Sequence, residues 1–286
     1  MQLRRVDVLG YRTGYRECGS GPAVVFLHGN PTSSLLWTNV LAVLGEDHRC
    51  VALDLIGMGG SDQLPGTGDD RYRFAEQRRF LDAALTALDL DGPCVFVGHD
   101  WGGVLAVDRA RRRPDTARGV AYLEAGVVPV SWHDGTGPDR ELFGALRSPA
   151  GEQLVLQDNI FIDVVLQAGT QRTLTAAELD AYRAPFTEPG EGRRAMLTWA
   201  REIPIDGEPA DVHEAVAAGA AWMSTSTVPK LLVRGDPGAV ITGRVLEQCR
   251  RWPHQTEVTV AGTHFLPHDS SPQIAAALRT WLAGLT

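Results

Sequence analysis

Val95-Phe96-Val97-Gly98-His99-Asp100-Trp101-Gly102-Gly103 is the stretch on which the reading of this chain turns. The apolar run 95–97 suits a strand buried on both faces, and Val104 to Ala110 leaves the turn with helical character. Between them lies G-x-D-x-G, the pattern of a strained strand-to-helix turn that pushes its central residue out at the strand end. The residues two before and two after that centre must be small, because backbone and helix crowd them. Gly98 and Gly102 meet the need. The occupant is unusual: a carboxylate, Asp100, stands where serine would make an acyl-transfer site.

Outward from this turn the chain alternates. Residues 3–17 read as two short strands around Gly10, Ala23–His28 as a buried strand, and Cys50–Asp54 as another. Thr32 or Ser33 can cap a helix patterned by Leu35, Leu36, Trp37, Val40, Leu41 and Leu44. A second helix, about 73–90, carries Phe74, Phe80, Leu81, Ala84 and Leu85 on one face. Gly119–Leu123 is a further strand, ending at Glu124. Such alternation predicts a mostly parallel sheet flanked by helices.

From about Ser131 to Ala218 the pattern changes to helical segments broken by Pro and Gly: 140–146, 151–166, 175–182, 193–202 and 212–223. Thr175-Ala176-Ala177-Glu178 predicts a capping box. A helical block interrupting a sheet at one point is most simply a cap inserted over the strand ends. Strands resume at 230–234 and 255–260, with helices at 242–251 and 272–285. The expectation is an eight-stranded α/β core, 1–130 and 219–286, interrupted by a helical cap at 131–218.

Composition narrows the class. With 286 residues and 44% apolar content the chain can bury a full core. A net charge of −8 argues against a nucleic-acid or anionic-membrane surface. The opening Met1–Val6 lacks a signal-type apolar region, and no run reaches the roughly 18 apolar residues of a membrane span. A cytoplasmic protein is expected. Cys18, Cys50, Cys94 and Cys249 show no close-spaced pair and read as free thiols, three of them in apolar segments. The glycines of Ile56–Asp62 lack the Lys-Ser/Thr of a phosphate cradle.

An elbow nucleophile needs a base from the loop after the last strand, and His264 stands there. His28 reads as structural, and His99 as pointing the wrong way. His264, His268 and Asp269 invite a metal, but Pro267 breaks the helix that the spacing needs and no third ligand group accompanies them, so no metal is expected. The carboxylate that orients the base has two candidates. Asp236 follows the penultimate strand, yet the usual G-x-x-D spacing would put the acid at 238, which is glycine. Glu124, at the end of the strand after the elbow helix, is favoured.

A carboxylate is too weak a base for the serine route, but it can displace a leaving group in line from an sp³ carbon and form an alkyl ester. His264 would then activate water against that ester, with the backbone N–H groups of Asn30 and Trp101 as the oxyanion hole. An epoxide would open to an alkoxide and want acidic hydroxyls; Tyr182 is the one tyrosine of the cap. A halide needs only N–H donors, which the Trp101 indole and the Asn30 amide supply.

At this point the sequence resembles a known family. His28-Gly29-Asn30-Pro31-Thr32-Ser33-Ser34, Asp54-Leu55-Ile56-Gly57-Met58-Gly59, the elbow, Tyr122-Leu123-Glu124, Leu154–Phe161 and Gly262-Thr263-His264-Phe265 look like the haloalkane dehalogenases of the α/β-hydrolase superfamily, over almost the whole chain. The acid's placement resembles subfamily II, and the likeness to the hexachlorocyclohexane-type enzymes is particularly close. The resemblance implies Asp100 as nucleophile, His264 as base, Glu124 as acid and Asn30 with Trp101 as halide clamp. It implies no cofactor beyond water, and a buried apolar pocket reached by a tunnel. Phe143, Phe161, Trp199, Ile203 and Val240 fall at pocket-lining positions, and Gly169 either widens the tunnel mouth or ends a helix. The expected partners are a haloalkane and a halide ion, with no nucleic acid, no membrane and a monomeric state. Other readings of the same fold are an epoxide hydrolase, a coelenterazine-type monooxygenase, or a non-catalytic ligand-binding protein.

Overall fold

Strands β3 (Ala23–Leu27), β5 (Cys94–His99) and β6 (Ala117–Leu123) are buried along almost their whole length in the computed structural model, which describes residues 1–285. Runs of Val, Leu and Phe without alternation demand cover on both faces, and helices supply it. With β1 (Arg4–Val8), β2 (Tyr11–Cys18), β4 (Arg49–Leu53), β7 (Lys230–Pro237) and β8 (Gln255–Gly262) they form one eight-stranded sheet in the order β1-β2-β4-β3-β5-β6-β7-β8. The β1–β2 and β2–β4 pairs are antiparallel and every other pair is parallel. The central strand β5 therefore ends between the ends of β3 and β6, where loops converge.

Helices α1 (Thr38–Leu44), α2 (Phe74–Ala87) and α3 (Trp101–Arg112) belong to the first half of the sheet. The helical region beyond β6 holds α4 (Gly137–Arg147), two π-helical segments at Glu152–Gln157 and Phe161–Val165, the single turn α5 (Leu166–Ala168), α6 (Ala176–Arg183), α7 (Arg194–Glu202) and α8 (Ala210–Thr225). Then α9 (Gly243–Cys249) precedes β8, and α10 (Leu266–Asp269) and α11 (Ser271–Ala283) follow it. One buried cluster joins Leu41 of α1 and Leu278 of α11 to Phe26 and Val97 on one face of the sheet. On the other face α2, α3 and α8 share a second cluster, which continues into the helical segments beyond β6 through Trp199 and Phe161.

Several boundaries differ from the periodicity, each for a local reason. The run 151–166 is not one helix: Asn159 turns left-handed (φ 53°), which Asn tolerates, and Asp158 N–H donates to the Gln153 carbonyl five residues back (2.9 Å). Helix α2 stops at Ala87, short of 90, ahead of another left-handed residue, Asp89 (φ 54°). Helix α4 begins three residues before Arg140, because Thr136 and Asp139 form a capping box and Pro138 sits where its missing N–H costs nothing. The Thr175–Glu178 capping box is present. Helix α8 runs across residue 218 and packs on α3.

Ion pairs stitch the helical region to the core. Arg194 and Arg201 of α7 both reach Asp69 of the core, at 2.9 and 2.7 Å, and both also pair with Glu152 within the helical region. Glu202 accepts from Arg73 (3.1 Å) and from the Phe74 backbone N–H (2.8 Å) at the start of α2. Among the described residues no helix is long and apolar enough to cross a membrane.

The junction of β5 and α3 leaves no room for a side chain at Gly98 or Gly102. A Cβ on Gly102 would overlap the Leu27 carbonyl of β3, and one on Gly98 would overlap the backbone of Gly102. Gly102→Ala is therefore expected to destabilise the chain by about 3 kcal/mol or more, read as a lowered urea midpoint.

Candidate active site

Asp100 sits at the turn with φ 52° and ψ −126°, a conformation that only the surrounding packing holds. Its N–H donates to the Leu123 carbonyl at the end of β6 (3.2 Å). Its carboxylate projects past Gly29, whose missing Cβ makes the approach possible. The Asn30 backbone N–H donates to Asp100 Oδ2 at 2.8 Å. Burial raises the Asp100 pKa to about 7, although the Asn30 and Trp101 backbone N–H groups pull it down; the Glu124 charge adds to the rise.

His264, two residues beyond β8, brings Nε2 to 4.0 Å from Asp100 Oδ1. That is too long for a hydrogen bond. Burial lowers its pKa to about 4, so the imidazole is neutral near pH 7. His28 is structural: it accepts from the Leu55 N–H through Nε2 and bonds the Gly29 carbonyl through Nδ1, both at 2.9 Å. His99 turns away from Asp100, but its Nε2 meets the His264 carbonyl at 2.8 Å. Sequence reasoning set it aside for direction and had no signal for that long-range bond.

The two candidate acids lie in different environments. Asp236 has a side chain 69% exposed and 4.0 Å from Arg234. Glu124 is fully buried at a positive φ of 42°. One of its oxygens accepts from the N–H groups of Ala239 and Val240, both at 2.7 Å. Burial raises its pKa against those bonds. Gly238, where the common spacing would place the acid, has φ 73°, and a Cβ there would lie 3.1 Å from Glu124 Oε1. The glycine thus makes room for a carboxylate arriving from β6. Glu124 Oε1 and His264 Nδ1 are both buried without a hydrogen-bond partner.

Helix α7 closes the site from above. Asn30 Nδ2 donates to the Met196 carbonyl (3.1 Å), and Trp199 stacks on Trp101 with ring centroids 4.3 Å apart. Phe161 and Trp199 are buried in the same apolar cluster as Trp101, and Phe143 and Ile203 pack against it half-buried. Val240 meets Glu124 through its backbone. Gly169 ends α5, and the ring of Phe265 fills the space beside it: a Cβ there would lie 2.6 Å from that ring. It therefore ends a helix and opens no space on that side. Both ring nitrogens of His268 are engaged, Nε2 by the Tyr182 hydroxyl (2.9 Å) and Nδ1 by Arg172 (3.3 Å). Among the described residues no three His, Cys, Asp or Glu side chains are grouped to hold a metal ion.

Residues 22–271 match the family described as the alpha/beta hydrolase fold. A haloalkane dehalogenase of Sphingobium indicum is 48% identical over 280 residues, covering 98% of this chain and 95% of its own length. One from Mycolicibacterium smegmatis is 45% identical over 283 residues, 98% of this chain and 91% of its own. Among solved structures, haloalkane dehalogenase DbeA from Bradyrhizobium elkani superposes with a TM-score of 0.94 at 39% identity, covering 99% of this chain and 98% of that one. The haloalkane dehalogenase DatA from Agrobacterium tumefaciens does so with 0.92 at 32% identity, covering 100% and 97%.

The raised pKa of Asp100 carries a stability consequence. The protonated group is tolerated, so there is no penalty below the ordinary carboxylate pKa; the penalty grows as pH rises toward 7 and is complete above it. Asp100→Asn is expected to stabilise the fold by on the order of 1–3 kcal/mol at pH 8, with a smaller gain at pH 5, measured as urea midpoints at the two pH values.

Proposed function

The chain belongs to the haloalkane dehalogenases, hydrolases that replace a carbon-bound halogen with hydroxyl, and we propose that it does so through an alkyl ester on Asp100. It takes a small haloalkane and releases halide. In the first step Asp100 Oδ1, the oxygen not engaged by Asn30, attacks the halogen-bearing carbon in line. The C–O bond forms as the C–halogen bond breaks, and the halide departs with the bonding pair. The Trp101 indole N–H and the second N–H of the Asn30 amide receive it. The first Asn30 N–H is already given to Met196, which fixes the amide's orientation.

In the second step water attacks the ester carbonyl carbon of Asp100, and neutral His264 takes its proton. The oxygen that gains charge is held by the backbone N–H groups of Asn30 and Trp101. On collapse the imidazolium of His264 gives its proton to the departing alkoxide oxygen, which leaves as alcohol, and the carboxylic acid left on Asp100 loses its proton to solvent, one proton per turnover. Glu124 orients His264 and stabilises its protonated form. Two buried orphans support that assignment: a single hydrogen bond from His264 Nδ1–H to Glu124 Oε1 would satisfy both.

The observation that carries the reading is the division of the Asp100 carboxylate, one oxygen on the Asn30 N–H and the other 4.0 Å from the His264 imidazole. Tyr182 favours halide over epoxide chemistry, because its hydroxyl is committed to His268 and is not free to protonate an alkoxide. Residues 131–218 read as a cap whose Phe143, Phe161, Trp199 and Ile203, with Val240 from the core, line an apolar pocket. The four cysteines, all unpaired, suit a reducing cytoplasm, and we read the protein as a monomer.

With 1-bromobutane, His264→Phe is expected to release bromide once and to carry a butyl adduct on Asp100, seen by mass spectrometry of its peptide. A folded variant that binds substrate without forming the adduct would sink the covalent route. Glu124→Gln is expected to lower turnover at least about 100-fold while Asp236→Asn changes it by less than about threefold, in steady-state halide release. The reverse ranking would move the acid to the end of β7.

A further inference from the structure

His264 lies on an irregular segment: β8 ends at Gly262 and the one-turn helix α10 begins at Leu266. No ladder of backbone hydrogen bonds fixes it, yet its peptide is held at both ends. The His264 N–H donates to the Gly169 carbonyl (3.1 Å). That carbonyl also accepts from the Phe265 N–H (2.9 Å) and the Thr263 hydroxyl (2.7 Å). At the other end the His264 carbonyl accepts from the Leu266 N–H two residues on (2.9 Å) and, across the fold, meets His99 Nε2 at 2.8 Å. A carbonyl only accepts, so Nε2 carries the His99 proton; its Nδ1 is buried without a partner. Burial and the neighbouring imidazoles hold the His99 pKa well below its ordinary value, so the ring stays neutral and in this tautomer.

The two holds come from different parts of the molecule. His99 directly precedes Asp100, so the turn that presents the nucleophile also grips the main chain of the base. Gly169 belongs to the helical region above the sheet and ends α5. Its three donors leave its carbonyl no freedom to shift, and the buried Phe265 ring lies where its side chain would be. We propose that His99 and Gly169 are positioning residues for His264, clamping its peptide so that the imidazole reaches the water that attacks the Asp100 ester.

This inference rests on His264 being the base. It assigns a step as well as a role. Ester formation uses Asp100, whose own ties run to Asn30 and Leu123 and bypass the clamp. Hydrolysis uses the imidazole and depends on where that peptide sits. Loss of the clamp therefore slows the second step alone, whereas general loosening of the core would slow both.

The test compares His99→Leu, His99→Gln and Gly169→Ala in the whole chain, with 1-bromobutane, by rapid-quench bromide release and mass spectrometry of the Asp100 peptide. His99→Leu removes the donor, and Gly169→Ala drives a methyl against the ring next to His264. Both are expected to slow ester hydrolysis roughly 10- to 100-fold while ester formation stays within about threefold, so that a burst of bromide precedes slow turnover and the ester accumulates. His99→Gln places an amide N–H near the position of Nε2 and is expected to restore hydrolysis to within about threefold of the parent. Urea midpoints identify the variants that fold. If His99→Leu folds poorly, the Gln and Gly169→Ala variants decide. Equal slowing of both steps, no slowing of either, or Gln behaving as Leu does overturns the proposal. If His264→Phe itself accumulates no ester, the assignment of the base has failed, a result distinct from intact accumulation there with no step-selective effect at 99 or 169.

Discussion

Backbone crowding at the end of β5 governs the rest of the molecule, because no Cβ fits at Gly29, Gly98 or Gly102 while Asp100 is held between them at φ 52°. Three segments, from β3, β5 and α3, come into contact there, and each gives up a side chain to do so. The strain persists because parallel pairing on both sides of β5 leaves its end nowhere to relax. From this constraint follows the placing of the carboxylate beyond the strand end, its approach to the Asn30 N–H, and the alignment of the loops after β3, β6 and β8 around it.

The same packing that fixes geometry also sets charge. Burial pushes Asp100 and Glu124 up and His264 down, and the donors that hold the two carboxylates are backbone N–H groups. Dipoles fixed by the main chain stabilise charge without reorganising, which is what a reaction passing through two anions requires. Arginines are used elsewhere. Arg194 and Arg201 meet Asp69 along the seam between α7 and the core, so these cations bind the cover to the core away from the two carboxylates. A halide received by neutral N–H groups is also easier to release than one paired with a guanidinium.

Covering the site and forming it are coupled tasks. Helix α7 contributes the Met196 carbonyl to Asn30 and the Trp199 ring to Trp101, so the two donors proposed for the halide are oriented from above as well as from the core. Gly169 does the equivalent for His264, the proposed base. Asn30, Trp101 and His264 thus each have a neighbour in the helical cover, whereas Asp100 is tied to Asn30 and Leu123 of the core.

Much of this was readable in the residues. Apolar runs at 23–28, 50–54, 95–97 and 119–123 determined a parallel sheet, since strands that never alternate must be covered twice. Gly98 and Gly102 around Asp100 pointed to an elbow, and His264 after the last strand to a proposed partner that the structure places 4.0 Å away, because both are matters of local spacing. The choice of acid was half legible: glycine at 238 argued against Asp236, but only the fold puts Glu124 under the N–H groups of 239 and 240. Helix ends at 87 and 159 escaped the periodicity because single left-handed residues, not composition, set them. Tertiary structure alone decided what His99 and Gly169 do, for their bonds to the His264 peptide span 165 residues in the first case and 95 in the second. Sequence carries the identity of a donor or acceptor, whereas hydrogen bonds made through the main chain leave no mark on the residue that receives them.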